Sequence, residues 1–204
     1  MRVGLFGGSF NPIHNGHLHL AESVKTACGL DYVLLMPTGT APHKSSAAYV
    51  DADHRYAMCQ LAARAYDWLA VSDYEIRKDG KSYTVETLAH LKTQYPHVAW
   101  TLMIGSDMLL TFDRWYRWMD ILEMAAVCVV SRQPGDEALL RQKAEALQQQ
   151  MQQCGKSADI LVLSVAALPV SSTQIREKMQ KNENCSCLLP ENVVQYMNVY
   201  GLYR

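Results

Sequence analysis

Short apolar runs alternate with segments of helical period along most of this chain. Six runs have the length of buried strands, and we predict strands over 3–6, 32–36, 69–72, 99–104, 126–130 and 160–165. Between and after them, amphipathic patterns and boundary residues predict helices from about 14 to 29 and over 51–66, 84–95, 136–153, 172–181 and 190–200. In the fourth of these, Leu139, Leu140, Leu147 and Met151 mark the apolar side. This alternation predicts an α/β protein with a parallel sheet and closing helices at the C-terminal end.

Composition limits the function further. The 204 residues, 49% of them hydrophobic, fit one domain over 1–204. A formal net charge of -1 argues against a nucleic acid or a membrane as partner, so a small phosphorylated ligand is expected. No apolar run has membrane-spanning length, and the six cysteines show no Cys-x-x-Cys spacing, which favours a reducing, cytoplasmic location. We interpret Cys185 and Cys187 as a loop pair without a function. The oligomeric state, a homo-oligomer included, is open.

Polar residues follow the apolar runs at the positions where ligands bind. Parallel sheets bind ligands beyond the carboxyl ends of their strands. Residues rich in hydrogen-bond donors and cations come there, in the stretches 7–17, 37–44, 105–107, 131–132 and 171–176. We therefore expect one edge of the sheet to bind anions.

The first of these stretches combines a glycine pair with two histidines. We expect Gly7 and Gly8 to turn the chain sharply and let backbone N–H groups approach an anion. His14 and His17 are then expected on one face of the first helical turn, where the helix dipole favours negative charge. Surface or capping histidines are the ordinary alternative, and zinc is disfavoured because His19 brings no matching cluster.

A hydroxyl-rich stretch near the C-terminus offers a second anion site. Ser171, Ser172 and Thr173 precede a helical pattern, with Arg176 one turn inside. Hydroxyls, free N–H groups and a guanidinium at a helix start suit several phosphate oxygens. Plain helix capping is the alternative for the serines, and a surface position for the arginine.

Both stretches match a known family. The string Gly-Gly-Ser-Phe-Asn-Pro-Ile-His-Asn-Gly-His from Gly7 resembles the signature of the His-x-Gly-His nucleotidyltransferase superfamily, in the form of the bacterial nicotinate mononucleotide adenylyltransferases. Ile13 stands where that family often has a second proline. The string Val-Ser-Ser-Thr-Gln-Ile-Arg from Val170 is similar to the family's second signature, Ile-Ser-Ser-Thr-x-Ile-Arg, which binds the ATP triphosphate.

The resemblance implies a Rossmann-like doubly wound fold and transfer of AMP from ATP, with Mg²⁺, to nicotinate mononucleotide in NAD biosynthesis. It implies catalytic roles for His14, His17, Arg176 and Lys44, the last in a Pro-His-Lys loop with His43. For ATP and its phosphates it implies Gly7, Gly8, Ser9, Phe10, Gly16, Gly105, Asp107, Arg132, Ser171, Ser172 and Thr173. For nicotinate mononucleotide it implies Asn11, Thr84, Trp115 and Tyr116.

Ordinary structural roles for several of these residues, and other functions for the protein, stay open as alternatives. Lys44 and Arg132 are ordinary as solvated surface residues, and Asp107 as a helix cap. Trp115 and Trp118, three apart on a predicted helix, suit core packing, and we expect only Trp115 to stack on the pyridine ring. Pantetheine-phosphate adenylyltransferases, cytidylyltransferases and a non-catalytic nucleotide sensor are the rivals. The first are typically shorter and the second carry a different C-terminal signature, whereas this chain has the Ser-Ser-Thr-x-Ile-Arg form and the Trp-Tyr acceptor segment. A sensor would be expected to lose one of the histidines or Arg176, and this chain keeps all three.

Overall fold

The computed structural model describes residues 1–39, 49–131, 135–166 and 168–204. Its backbone groups into two compact units. Unit 1 comprises Met1–Phe6, Glu22–Val33 and Tyr83–Ala167, and unit 2 comprises Gly7–Ala21, Leu34–Ser82 and Leu168–Arg204. The prediction of one domain over 1–204 stays a prediction.

The described strands confirm the predicted parallel α/β sheet. They are β1 (Arg2–Gly8), β2 (Tyr32–Pro37), β3 (Leu69–Val71), β4 (Ala99–Gly105), β5 (Ala125–Ser131) and β6 (Ile160–Ser164). Their order is β3-β2-β1-β4-β5-β6, and β1, β4, β5 and β6 pair in parallel. The order reverses direction after β1, as in doubly wound folds.

The helices lie between and after these strands. They are α1 (Asn15–Cys28), α2 (Ala52–Ala63), α3 (Tyr74–Arg77), α4 (Thr84–Gln94), α5 (Ser106–Leu110), α6 (Trp118–Met124), α7 (Glu137–Gln153), α8 (Ser172–Gln180) and α9 (Glu191–Val199). All six predicted helices are present, whereas α3, α5 and α6 were not predicted. Helices of 4, 5 and 7 residues show too few turns for a periodic pattern.

The core of unit 1 lies on β4 and β5. Both strands are buried along nearly their whole length, as their continuous apolar runs predict for inner parallel strands. Helix α7 buries Leu140, Ala144, Leu147 and Met151. Leu139, assigned to this face from the sequence, is instead 52% exposed. The helical rotation places Ala144, four residues after Leu140, on the buried stripe.

The core of unit 2 is formed by the segment after β1 together with α2, α8 and α9. Its buried apolar side chains include Phe10, Ile13, Met58, Cys59, Ile175, Val193 and Met197. Among the described residues, no helix combines the length and apolarity needed to cross a membrane.

Candidate active site

In unit 2 the chain between β1 and α1 forms a buried loop, residues 9–14, called here the 9–14 loop. Phe10, Asn11, Ile13 and His14 are each under 9% exposed. The predicted turn at the glycine pair is wrong: Gly7 and Gly8 belong to β1, and a Cβ on Gly7 would meet nothing. The chain turns after the end of β1, where Phe10 has a φ of 42° and the Asn11–Pro12 peptide is cis. Buried backbone needs hydrogen-bond partners, and α8 supplies two of them.

Contacts from α8 bring the second motif onto the 9–14 loop. The Nη1 of Arg176 donates to the carbonyl oxygen of Asn11 at 2.8 Å, and its Nη2 donates to Thr173 Oγ1 at 3.1 Å. The hydroxyl of Ser172 donates to the carbonyl oxygen of Pro12 at 2.9 Å. Two stretches separated by about 160 positions in sequence therefore meet, as the sequence analysis predicted.

The two predicted histidines lie together at the start of α1. Their rings stack with centroids 3.7 Å apart at 29°. Helix α1 begins at Asn15, so His14 precedes it rather than belonging to its first turn, and the His14 carbonyl accepts from the N–H of His17 at 2.9 Å. The backbone N–H of His14 donates to Nδ1 of His17 at 3.2 Å. Since Nδ1 accepts, the ring proton of His17 lies on Nε2, where it can serve as a donor.

Gly16 permits this arrangement. A Cβ at Gly16 would lie 2.9 Å from Cγ1 of Val170 and 3.0 Å from Nδ1 of His14. A side chain would therefore push apart the His14 ring and the segment that leads into α8. Ser171, at the start of that helix, is an ordinary cap, since its hydroxyl accepts from the N–H of Gln174 at 3.2 Å.

Comparison with known proteins identifies the family of this site. The cytidylyltransferase-like family model matches residues 5–178. A protein of Clostridium tetani named "Probable nicotinate-nucleotide adenylyltransferase" is 38% identical over 206 residues, covering 100% of this chain and 99% of its own length. One of the same name from Maridesulfovibrio salexigens is 35% identical, covering 98% of this chain and 96% of its own. The chain belongs to the nicotinate-nucleotide adenylyltransferase family.

Solved structures agree on the fold of the family. The nicotinic acid mononucleotide adenylyltransferase of Plasmodium falciparum, in complex with NaAD, superimposes with a TM-score of 0.78 at 16% identity, covering 99% of this chain and 97% of its own. A second structure of that protein, in complex with APC, gives 0.75 at 15% identity, covering 99% and 96%. The Rossmann-like nucleotidyltransferase fold is confirmed.

Asn11 has internal partners that the motif did not reveal. Its Oδ1 accepts from the Tyr203 hydroxyl at 2.8 Å and from the N–H of Val50 at 3.3 Å. Burial raises the pKa of Tyr203, so its hydroxyl stays protonated and able to donate. Asn11 is predicted to bind nicotinate mononucleotide. Its side-chain oxygen also holds the C-terminal residues to the 9–14 loop.

In unit 1, two of the residues predicted to bind ATP, Gly105 and Asp107, lie at and just after the end of β4. Gly105 ends the strand, and Asp107 lies exposed in the first turn of α5. The neighbouring Ser106 donates to Asp136 Oδ2 at 2.8 Å, and the Ser131 hydroxyl donates to the other oxygen of that carboxylate. The sequence pattern predicts Asp136 only as the start of a helix, and it contains no signal for this link between the ends of two strands.

The aromatic acceptor segment, also in unit 1, differs from its prediction. Trp115 and Trp118 do not share a helix: a 3₁₀ turn covers Phe112–Arg114, Trp115 is extended, and α6 begins only at Trp118. The left-handed Arg117, with a φ of 54°, breaks the predicted continuity. Trp115 packs its half-buried ring on Phe112, with centroids 5.0 Å apart.

Thr84 and Tyr116, both predicted to bind nicotinate mononucleotide, lie in different local structures. Thr84 is the first residue of α4, where N–H groups lack partners inside the helix. Tyr116 is 56% exposed, and its ring lies 5.0 Å from that of Tyr83. Three further residues of the predicted site lie outside the described residues: His43, Lys44 and Arg132.

A cavity of about 490 Å³ in unit 1 is lined by none of the residues predicted to bind the substrates. Its lining includes Arg2, Cys28, Cys128 and Asp159. A hydrogen bond with Cys128 and the nearby Arg2 lower the pKa of the Cys28 thiol against the effect of burial. Sequence spacing gave no signal for this pair, because the two cysteines are far apart along the chain.

Proposed function

We propose that this protein transfers AMP from ATP to nicotinate mononucleotide, giving nicotinate adenine dinucleotide and pyrophosphate, a step of NAD biosynthesis. The observation that carries this proposal is the junction in unit 2, where Arg176 and Ser172 bind the carbonyls of the histidine-bearing 9–14 loop. Full-length relatives named for this activity support it.

The reaction needs positioning more than proton abstraction. The phosphate of the mononucleotide is ionised at neutral pH and attacks the α-phosphorus of ATP in line. A new P–O bond forms while the bond to the pyrophosphate oxygen breaks, so negative charge grows on the leaving group. Donors held in place before reaction stabilise this charge.

The residues of unit 2 supply such donors. The Nε2–H of His17, together with His14, is assigned to the α-phosphate and its bridging oxygen. Arg176 uses two of its guanidinium donors on the protein and retains others for the β- and γ-phosphates. The Ser172 hydroxyl already donates to Pro12, so its contribution to phosphate binding comes from the backbone N–H at the start of α8, beside that of Thr173.

Mg²⁺ is proposed to arrive bound to the triphosphate. The described residues contain no group of three His, Cys, Asp or Glu side chains that could hold a metal ion. The groups at the 9–14 loop are imidazoles, hydroxyls and a guanidinium, which suit phosphate oxygens better than Mg²⁺. The ion would neutralise charge on the phosphates. The cytoplasmic location and the absence of a nucleic-acid partner stay predictions.

A parallel acceptor assay tests the function. Purified protein with Mg-ATP receives nicotinate mononucleotide, nicotinamide mononucleotide or phosphopantetheine, and pyrophosphate release is followed with product identification. We expect the largest kcat/KM with nicotinate mononucleotide. Release with phosphopantetheine alone would identify a different adenylyltransferase, and no release with any acceptor would favour a nucleotide sensor. A His17→Ala protein is the control for contaminating activity.

A further inference from the structure

Arg55, on α2, is a buried cation whose role the sequence did not reveal. Its side chain is among the most deeply buried in the molecule, at 1% exposure. A guanidinium withdrawn from water is costly unless its donors find partners. Four backbone carbonyl oxygens accept from it: Val50 from Nε at 3.0 Å, Ser9 from Nη1 at 2.8 Å, and Thr38 and Gly39 from Nη2 at 2.7 and 2.8 Å.

The charge of Arg55 is not neutralised by an acid in the part of the chain that the structure describes. Its partners among the described residues are backbone carbonyls and the ring of Tyr49, whose centroid lies 4.9 Å from Cζ. Its positive charge acts on the buried Tyr203 and Cys59, where it lowers each pKa against the larger effect of burial. A buried positive charge therefore lies next to the Ser9 carbonyl, at the start of the 9–14 loop.

The four carbonyl oxygens that accept from Arg55 belong to separate stretches of the chain. Ser9 begins the 9–14 loop, while the other three lie on either side of residues 40–48, the segment that contains Lys44. The peptide group is planar and trans, so turning the Ser9 carbonyl toward Arg55 turns the N–H of Phe10 away from it. Arg55 thereby sets the orientation of a peptide in the loop and ties that loop to Thr38, Gly39 and Val50.

We propose that Arg55 is a positioning residue for the ATP triphosphate, acting through the 9–14 loop and through the backbone of Thr38, Gly39 and Val50. Four of its five N–H donors are engaged by backbone carbonyls and its side chain is only 1% exposed, so we assign it an action through these carbonyls and no contact with the substrate. This inference rests on the proposed function only in taking ATP as the donor. The competing interpretation is a purely structural anchor, which would lower stability and affect both substrates alike.

Arg55→Lys separates these interpretations. Lysine keeps the charge but places it on one ammonium, which cannot reach all four carbonyls of the guanidinium fork. We expect a folded protein whose KM for ATP rises roughly 10- to 100-fold, the size of losing a charge-assisted hydrogen bond, while the KM for nicotinate mononucleotide changes less than about threefold. Arg64→Lys, on an exposed arginine just after α2, is the matched control and should leave both KM values unchanged.

Gly39→Ala disturbs the same contact without altering the buried arginine. A Cβ on Gly39 would lie 2.5 Å from the carbonyl oxygen of Glu75, so Gly39 must move and carry its own carbonyl with it. We expect the KM for ATP to rise in this variant too, by less than in Arg55→Lys. This variant decides the matter if Arg55→Lys fails to fold.

Binding of the Mg²⁺ complex of a non-hydrolysable ATP analogue, measured by calorimetry, gives a readout apart from turnover. Weaker binding by folded Arg55→Lys, with an unchanged Arg64→Lys, supports the proposal. Binding within twofold of the starting protein, or equal losses for both substrates with a lowered melting temperature, overturns it. If Arg55→Lys does not fold, an unchanged KM for ATP in Gly39→Ala overturns it. A starting protein that binds the analogue but forms no product with nicotinate mononucleotide would instead reject the proposed acceptor.

Discussion

The 9–14 loop in unit 2 and the 105–118 segment in unit 1 both follow a strand and both carry predicted substrate residues, yet they are held differently. In the 9–14 loop, the carbonyls of Ser9, Asn11 and Pro12 each accept from a side chain distant in sequence. In the 105–118 segment, the backbone hydrogen bonds beyond the end of β4 are local, such as Trp115 N–H to the Phe112 carbonyl at 3.0 Å and Trp118 N–H to the Trp115 carbonyl at 3.2 Å. Its long-range contacts, such as Ser106 with Asp136 at 2.8 Å and Asp113 with Lys143 at 2.9 Å, are made by its side chains and leave the backbone carbonyls of its turns to local partners.

This difference indicates that the two regions contribute to different steps, the 9–14 loop to catalysis and the 105–118 segment to binding of the acceptor. A loop fixed by long-range bonds holds its donors in place before the substrate arrives, which is what charge stabilisation in the transition state requires. A segment of short turns has several exposed apolar side chains, with Met108 at 43%, Leu110 at 40% and Tyr116 at 56%. We therefore expect changes in the 9–14 loop to lower kcat, and changes in the 105–118 segment to weaken acceptor binding.

The largest effect is expected from the histidines. His14→Ala and His17→Ala should each lower kcat by roughly 10²–10⁴-fold, the range for losing a preorganised donor, while the protein still folds. Steady-state kinetics and circular dichroism measure the two properties. His19→Ala, on α1 two residues after His17, is the matched control and should stay close to the starting protein. Near-normal kcat in both variants would remove the distinction between the two regions.

Arg176 should give the next largest effect. Its fork binds Asn11 and Thr173 at once, and the remaining donors are assigned to phosphates. Arg176→Lys keeps the charge but loses the fork, so we expect kcat/KM for ATP to fall about 10- to 100-fold. Lys181→Ala, just past the end of α8, should change it less than twofold. A kcat/KM that falls equally for Lys181→Ala would point to a diffuse electrostatic effect instead.

The sequence was sufficient for most of the fold because inner parallel strands are continuous apolar runs. All six strands lie within about two residues of their predicted positions, as β4 and β5 illustrate. The short helices α3, α5 and α6 left no periodic signal. Arg117 shows why continuity failed in the acceptor segment, since a left-handed arginine has no sequence signature.

The site was predictable where a motif marks it and not elsewhere. His14, His17 and Arg176 stand in motifs and do meet at one loop. Arg55 looks like any arginine of a helix, and the contact of Tyr203 with Asn11 joins residues 192 positions apart. Such bonds depend on how the chain folds back on itself, which no local pattern records.

Trp115→Ala probes the other side of the comparison. If the indole stacks on the pyridine ring, the KM for nicotinate mononucleotide should rise about tenfold and the KM for ATP less than twofold. Trp118→Ala is the matched control: its half-buried ring begins α6, so we expect a lower melting temperature and no preference between the substrates. Equal effects of Trp115→Ala on both KM values would make this tryptophan structural.

The smallest effect tests whether the 9–14 loop is held from a distance. Tyr203→Phe removes only the hydroxyl that donates to Asn11 Oδ1 at 2.8 Å, and the Val50 N–H still donates to that oxygen. We expect the free energy of unfolding to fall by ~1 kcal/mol, with kcat changed less than threefold, because the histidines keep their own contacts. Chemical denaturation measures the loss. Tyr95→Phe, at an exposed position, should leave stability unchanged. If Tyr203→Phe were equally stable, the C-terminal residues would not help to fix the loop, and its order would have to come from Arg55 and α8 alone.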